Sequence, residues 1–347
     1  PYRIKKLMSK SFLPITAKEI QERGWDYVDI IIVSGDAYID HPSFGHAVIG
    51  RVLESAGYRV AILPQPNWRD DLRDFKKLGQ PRLFFGITSG CMDSMVNHYT
   101  AAKRLRSNDA YTPGGEAGFR PDRATYVYSQ ILKQLYPDTP IVIGGIEASM
   151  RRFSHYDYWD DCLKPSIMAE TPADILVYGM GERTIVDIAR LIERKATKEE
   201  IYKLPQIGYL TNNVPRTDNQ ETIYLQPHEK CLADKKTQAL NFHKIEIESN
   251  KIEACRLVQP IGKKYIVVNP PHSPFTQEEL DSYYELPYMR VPHPKYTKRG
   301  AIPAYEMIKF SVNIHRGCFG GCSFCTISAH QGKQIVSRSE KSIMAEI

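Results

Sequence analysis

The chain has 347 residues, 42% of them hydrophobic and 25% charged, which are the proportions of an ordinary globular protein of about two domains and exclude a single small module. Lys and Arg number 46 against 40 Asp and Glu, a formal charge of +6 that permits a nucleic-acid partner without arguing for one, and no apolar run approaches the ~18 residues of a membrane helix. The N-terminal stretch Pro1 to Phe12 lacks the apolar centre of a secretory signal. The cysteines are odd in number, four scattered (Cys91, Cys162, Cys231, Cys255) and three clustered (Cys318, Cys322, Cys325), so no disulfide framework and a reducing, cytoplasmic setting are expected.

In chain order, Val28 to Val33 reads as a buried strand, followed by a helix capped by Ser43 and ended by Gly57, and by a second strand over Arg59 to Leu63. Further strands are predicted at Leu83 to Thr88, Ile141 to Ile143 and Ile175 to Tyr178, with helices at Thr125 to Leu135 and Glu182 to Ile192 between them. Near-continuous apolar strands separated by helices predict an α/β fold with a doubly wound parallel sheet over residues 1–205. The loops at Asn67 to Gln80 and Arg106 to Arg123 leave strand ends on one side of that sheet and are candidate binding walls. From 206 to 303 the alternation fades into a proline-punctuated connector packed between domains, with strands at Ile223 to Leu225 and Tyr265 to Val268 and helices at Ala233 to Asn250 and Thr276 to Tyr284. Residues 304–347 start a second domain with a strand over Met307 to Ile314, a cysteine loop, and a helix opened by a capping box at Ser337 to Glu340. That helix runs to the last residue, so the chain is expected to be a fragment cut within its second domain.

The chemistry is expected in His315-Arg-Gly-Cys-Phe-Gly-Gly-Cys-Ser-Phe-Cys325, a Cys-x3-Cys-x2-Cys spacing in a glycine-rich turn. Gly317, Gly320 and Gly321 let the backbone wrap a bulky group, and three thiolates can converge on one centre. Three ligands on a 4Fe-4S cluster would leave one iron open to a small molecule. The competing arrangement is structural zinc held by the same cysteines with His315 or His330.

The segment Arg316 to Lys333, followed by Ser337-Arg-Ser-Glu340, resembles the cluster segment of the YgiQ-type radical S-adenosylmethionine (SAM) proteins. Ser34 to Gly45, Asp109 to Gly118, Gly144 to Arg152, His155 to Trp159 and Tyr178 to Arg183 resemble that family's N-terminal signatures. The resemblance implies a cobalamin-binding-like Rossmann domain followed by the truncated start of a radical SAM partial TIM barrel. It implies a 4Fe-4S cluster on Cys318, Cys322 and Cys325, with Phe324 beside the adenine of SAM. It further implies reductive cleavage of SAM, with electrons from a donor such as flavodoxin or ferredoxin, and leaves the substrate and the catalytic residues open. The fragment alone is expected to be inactive. The other class of function is a non-catalytic binding protein, RNA among its conceivable partners, clamped by zinc or a closed cluster.

Several features carry less than they resemble. Gly114-Gly-Glu116 imitates an element that contacts SAM but lies far ahead of the cysteines and reads as a turn. The corrinoid pattern Asp-x-His-x-x-Gly is not met, because Asp40 and His41 are adjacent, so cobalamin is not expected; Asp36, Tyr38 and His41 then line a crevice or satisfy loop backbone. His155 to Trp159 reads as a loop-packing cluster, Gly179 to Glu182 as tight strand-to-helix packing, and Arg338 as a solvated helix residue.

Overall fold

The computed structural model describes residues 11–216, 221–322 and 324–347. The strands are β1 (Ile30–Ser34), β2 (Val60–Pro64), β3 (Phe84–Thr88) and β4 (Ile141–Gly144), then a hairpin of β5 (His155–Asp157) and β6 (Cys162–Lys164). There follow β7 (Ile175–Val177), β8 (Ile207–Thr211), β9 (Thr222–Tyr224), β10 (Arg256–Ile261) and β11 (Lys264–Val268), and finally the two-residue β12 (His315–Arg316) and β13 (Val336–Ser337). Nine of them form one sheet in the order β2-β1-β3-β4-β7-β8-β11-β10-β9. The first five in that order are mutually parallel, whereas β8 is antiparallel to β7, and β11 is antiparallel to both β8 and β10. The fold is therefore mixed α/β with a large, parallel-rich sheet.

The apolar strands are explained by two covered faces. Along β1, Ile30 and Ile32 join one hydrophobic core while Ile31 and Val33 join the other, and all four are buried. Helices Gly45–Ser55 and Glu182–Glu193 cover the first face with Val48, Val52, Leu53, Ile185 and Ile188. Helix Ala124–Leu135 covers the second with Ala124, Tyr128 and Leu132, spaced one helical turn apart.

Five of the expected assignments change. Residues 206–303, read as a connector, supply β8, β9, β10 and β11 to the same sheet. The helix expected over Ala233 to Asn250 is broken at Asp234, whose carboxylate accepts from Lys236 N and Thr237 N and starts helix Lys235–Ser249. Met307 to Ile314 is not a strand: Pro303 at the first helical position starts helix Pro303–Ile308, and among the described residues no neighbouring strand is present there to satisfy a ladder. The last helix, Glu340–Glu346, is capped by Ser339, whose hydroxyl accepts from Ser342 N, while Ser337 pairs with His315 in the β12–β13 ladder. Likewise Ser43 gives way to Phe44 as the cap of helix Gly45–Ser55, with no side-chain cap bond. The basic segment 1–10 lies outside the described residues.

Candidate functional site

The ladder of β12 and β13 closes a loop over 317–335 that carries the three clustered cysteines. All three are free thiols; Cys318 and Cys325 are half-buried and Cys322 is exposed. Cys318 N donates to Gly332 O at 3.1 Å, which ties the first cysteine to the far side of the loop, and Cys325 N donates to Cys322 O at 3.1 Å, which ties the third cysteine to the second. Gly317 has φ +89, and a Cβ there would lie 2.0 Å from Gln334 O, so only glycine lets the loop close on itself. At Gly320 a Cβ would sit 3.3 Å from Cys318 Sγ and 3.9 Å from Cys322 Sγ, in the space beside both thiols. Phe319 and Phe324 flank them, 80% and 88% exposed.

The loop is docked on the carboxyl-terminal edge of the sheet. Arg316, next to Gly317, forms an ion pair with Glu182 at the start of helix Glu182–Glu193, and its Nε donates to Tyr284 Oη at 3.1 Å. Its guanidinium also stacks on the Tyr284 ring at 5.1 Å. Helix Ile327–Gln331 brings His330 Nδ1 to within 3.0 Å of Ser149 Oγ, on the helix that follows β4. Burial lowers the His330 imidazole to about 4, with Arg152 adding to the effect, so it is neutral at physiological pH. Arg338, expected in solvent, is 4% exposed: it pairs with Glu346 and donates to Asn313 O at 2.9 Å and Ser342 O at 2.8 Å. A guanidinium so placed holds the backbone entering the loop to the helix leaving it.

The three thiols suit a bulky group with several attachment points, since they share one loop and the Gly320 position leaves room between two of them. Among the described residues no three His, Cys, Asp or Glu side chains are grouped to hold a single metal ion.

The crevice between the carboxyl ends of β1 and β3 is filled by the chain itself. Arg120, fully buried, donates to Asp36 Oδ1 at 2.7 Å, Asp109 Oδ2 at 3.0 Å and Ser89 O at 2.9 Å. A Cβ at Gly90, where φ is +111, would fall 2.1 Å from Asp36 Oδ1. Asp40 is sealed by fully buried Arg51, and Tyr38 receives Leu13 N at 3.2 Å on its hydroxyl while its own N–H goes to Tyr296 Oη at 2.9 Å. His41 Nδ1 accepts from Ser43 N at 3.1 Å. Asp36, Tyr38 and His41 thus satisfy loop and core groups. Gly114 sits in the short 3-10 turn Pro113–Gly115 and donates to Ala301 O at 2.8 Å. The His155 to Trp159 patch is the β5–β6 hairpin, tied down by the Asp157–Arg123 ion pair at 3.0 Å and by Tyr158 Oη donating to Ala101 O at 2.6 Å. Glu182, Arg316 and Ser149 lay inside stretches quoted as signatures and Arg120 inside a candidate wall, but sequence reasoning gave none of the four a role of its own.

A family profile described as Radical SAM N-terminal matches residues 12–311. The chain belongs to this family. The match ends just before the cysteine loop. UPF0313 proteins are similar over almost the whole chain: 60% identity over 97% of it for that of Bacteroides thetaiotaomicron, and 56% over 97% for that of Porphyromonas gingivalis. The chain covers 56% and 53% of those two proteins, so it spans about half the length of the curated relatives it matches. Two solved structures of the radical SAM methyltransferase TsrM from Kitasatospora setae resemble it in outline at 16% identity. One, with tryptophan and a SAM analogue bound, has a TM-score of 0.44 and covers 91% of this chain and 44% of that one. The other has cobalamin and a 4Fe-4S cluster bound, a TM-score of 0.43, and covers 92% and 45%. Nothing in these comparisons bears out the expectation against cobalamin. Among the described residues no helix is long and apolar enough to cross a membrane.

Proposed function

We propose that this chain is the N-terminal part of a cytoplasmic radical SAM enzyme whose 4Fe-4S cluster is held by Cys318, Cys322 and Cys325. In this reading residues 1–205 carry the cobalamin-binding-like Rossmann part, 206–303 extend its sheet by β8 to β11 and lead on to the second domain, and 304–347 begin the partial barrel. The observation that carries the reading is the set of three free thiols on one glycine-built loop. A 4Fe-4S cluster held there would supply the electron for reductive cleavage of SAM, with a protein such as flavodoxin or ferredoxin as its donor.

The chain's own residues have simpler tasks. Gly317 and Gly320 keep the backbone and side-chain space that the thiols need, while Glu182 and Ser149 hold the loop through Arg316 and His330. Phe324, exposed beside Cys325, offers a flat apolar surface for the adenine of SAM. The remainder of the SAM site, the substrate and the turnover belong to the longer protein, and the 347-residue chain alone is inactive in this reading. In the zinc alternative His330 would have only its Nε2 to offer the metal, since its Nδ1 is engaged by Ser149.

Metal analysis separates the two. After anaerobic reconstitution with iron and sulfide, the protein is expected to hold about four irons per chain, and single replacements of Cys318, Cys322 or Cys325 by Ala to lose them. Stoichiometric zinc instead of iron, or full iron content in Cys322→Ala, contradicts the assignment.

A further inference from the structure

Behind the cysteine loop lies a cavity of about 140 Å3, walled on one side by Pro270 to Phe275 and on the other by Ser328 to Val336, with β10 and β11 at its back. Its lining is largely apolar, with Leu257, Val268 and Phe275 among the contributors. For scale, an apolar protein cavity of about 150 Å3 accommodates one benzene ring.

One charge in this lining makes no direct ion pair among the described residues, though the Glu246 carboxylate acts on it from a distance. Arg152 stacks its guanidinium at 5.1 Å from the Tyr178 ring and 5.8 Å from the Phe153 ring, and donates to Ser149 O at 2.6 Å; among the described residues it has no carboxylate partner. The nearby acids are already matched: Glu246 pairs with Lys333 at 3.0 Å and Glu248 with Lys251 at 2.6 Å. A second unmet polar atom is His272 Nε2, buried without a hydrogen-bond partner among the described residues. A desolvated guanidinium held against aromatic faces, with donors to spare and an apolar chamber beside it, is complementary to a carboxylate on an apolar body.

We propose that this cavity is a binding site for a small organic carboxylate with an aromatic or branched apolar body, Arg152 taking the carboxylate and His272 Nε2 supplying a further hydrogen bond. The site goes beyond the cysteine chemistry and does not depend on it, because cavity and arginine are complete without a cluster. Its position behind the helix after Cys325 puts the bound acid next to the loop to which the radical chemistry is assigned.

The test is ligand-observed 19F NMR on the metal-free 347-residue chain, with 4-fluorobenzoate and 4-fluorophenylacetate as anionic probes and 4-fluorobenzyl alcohol as the neutral one. At least one acid is expected to bind saturably and more tightly than the alcohol. Arg152→Met should weaken it about tenfold or more, since a hydrogen bond to a charged group is worth a decade or two in affinity. The same variant should keep or raise Tm, because a partly desolvated guanidinium without an ion-pair partner is removed. Ala254→Trp, which fills the cavity from its rim and leaves Arg152 intact, should abolish binding of acid and alcohol alike. Absence of saturable binding of both acids, equal affinity for the alcohol, or an Arg152→Met affinity matching the wild type overturns the proposal. Because no iron or SAM enters the measurement, such a failure leaves the cluster assignment standing.

Discussion

Replacing Arg120 by Met exposes what fills the crevice at the carboxyl ends of β1 and β3. The side chain is fully buried and serves two carboxylates, Asp36 at 2.7 Å and Asp109 at 3.0 Å, as well as Ser89 O at 2.9 Å. Methionine has similar length and no donor, so two acids are left in a dry site. Breaking a buried ion pair by removing one partner costs about 3–5 kcal/mol. At roughly 2 °C per kcal/mol for a chain of this size, Tm should fall by about 6–10 °C. The loss carries a pH signature. Burial already raises the Asp36 carboxyl above its usual range against the opposing pull of Arg120, and without that pull it rises further. The folded variant then binds a proton that the unfolded chain releases above about pH 4, so its relative stability is greatest in acid and falls as pH rises. Thermal unfolding monitored by circular dichroism at about pH 5, 6, 7 and 8 should show the gap between variant and wild type widening with pH. A fall below about 2 °C, or a gap independent of pH, refutes the reasoning.

Two other perturbations are readily checked. Burial depresses the imidazole of fully buried His46 to about 3, so between about pH 6.5 and 3 the unfolded state binds a proton that the folded state refuses. His46→Asn should therefore lose less stability than the wild type on acidification, by up to about 1.4 kcal/mol per pH unit, as read by urea midpoints at about pH 7, 5 and 4. Glu182→Gln removes the carboxylate facing Arg316 and, at about 3 kcal/mol for an uncompensated buried charge, should free the cysteine loop locally, with trypsin cutting at Arg316 or Lys333 at least about tenfold faster; an unchanged cleavage rate would show that the ion pair does not hold the loop.

The legible parts of the sequence were those whose signal is local. Near-continuous apolar runs announced β1, β2, β3, β4 and β7, because each is buried on both faces, and the cysteine spacing is a signal contained in eight residues. What stayed hidden depends on partners far away in the chain. The strand β10 carries Gln259 and Pro260 and does not read as core, yet Gln259 is fully buried because it accepts from Ser154 N at 3.0 Å and donates to Gln226 O at 3.2 Å. Arg338 looked like a solvated helix residue because its partners Glu346 and Asn313 O meet only after the loop has folded. The docking of Arg316 on Glu182 joins residues 134 positions apart and left no trace in either local stretch.

The central claim is that three thiols hold a cluster with one iron open to SAM, and EPR of the reduced, reconstituted full-length protein with and without SAM tests it most directly. A cluster signal that shifts on SAM addition, and is absent from the Cys318→Ala, Cys322→Ala and Cys325→Ala variants, is the predicted result. A signal indifferent to SAM, or one that survives loss of any of the three thiols, would contradict it.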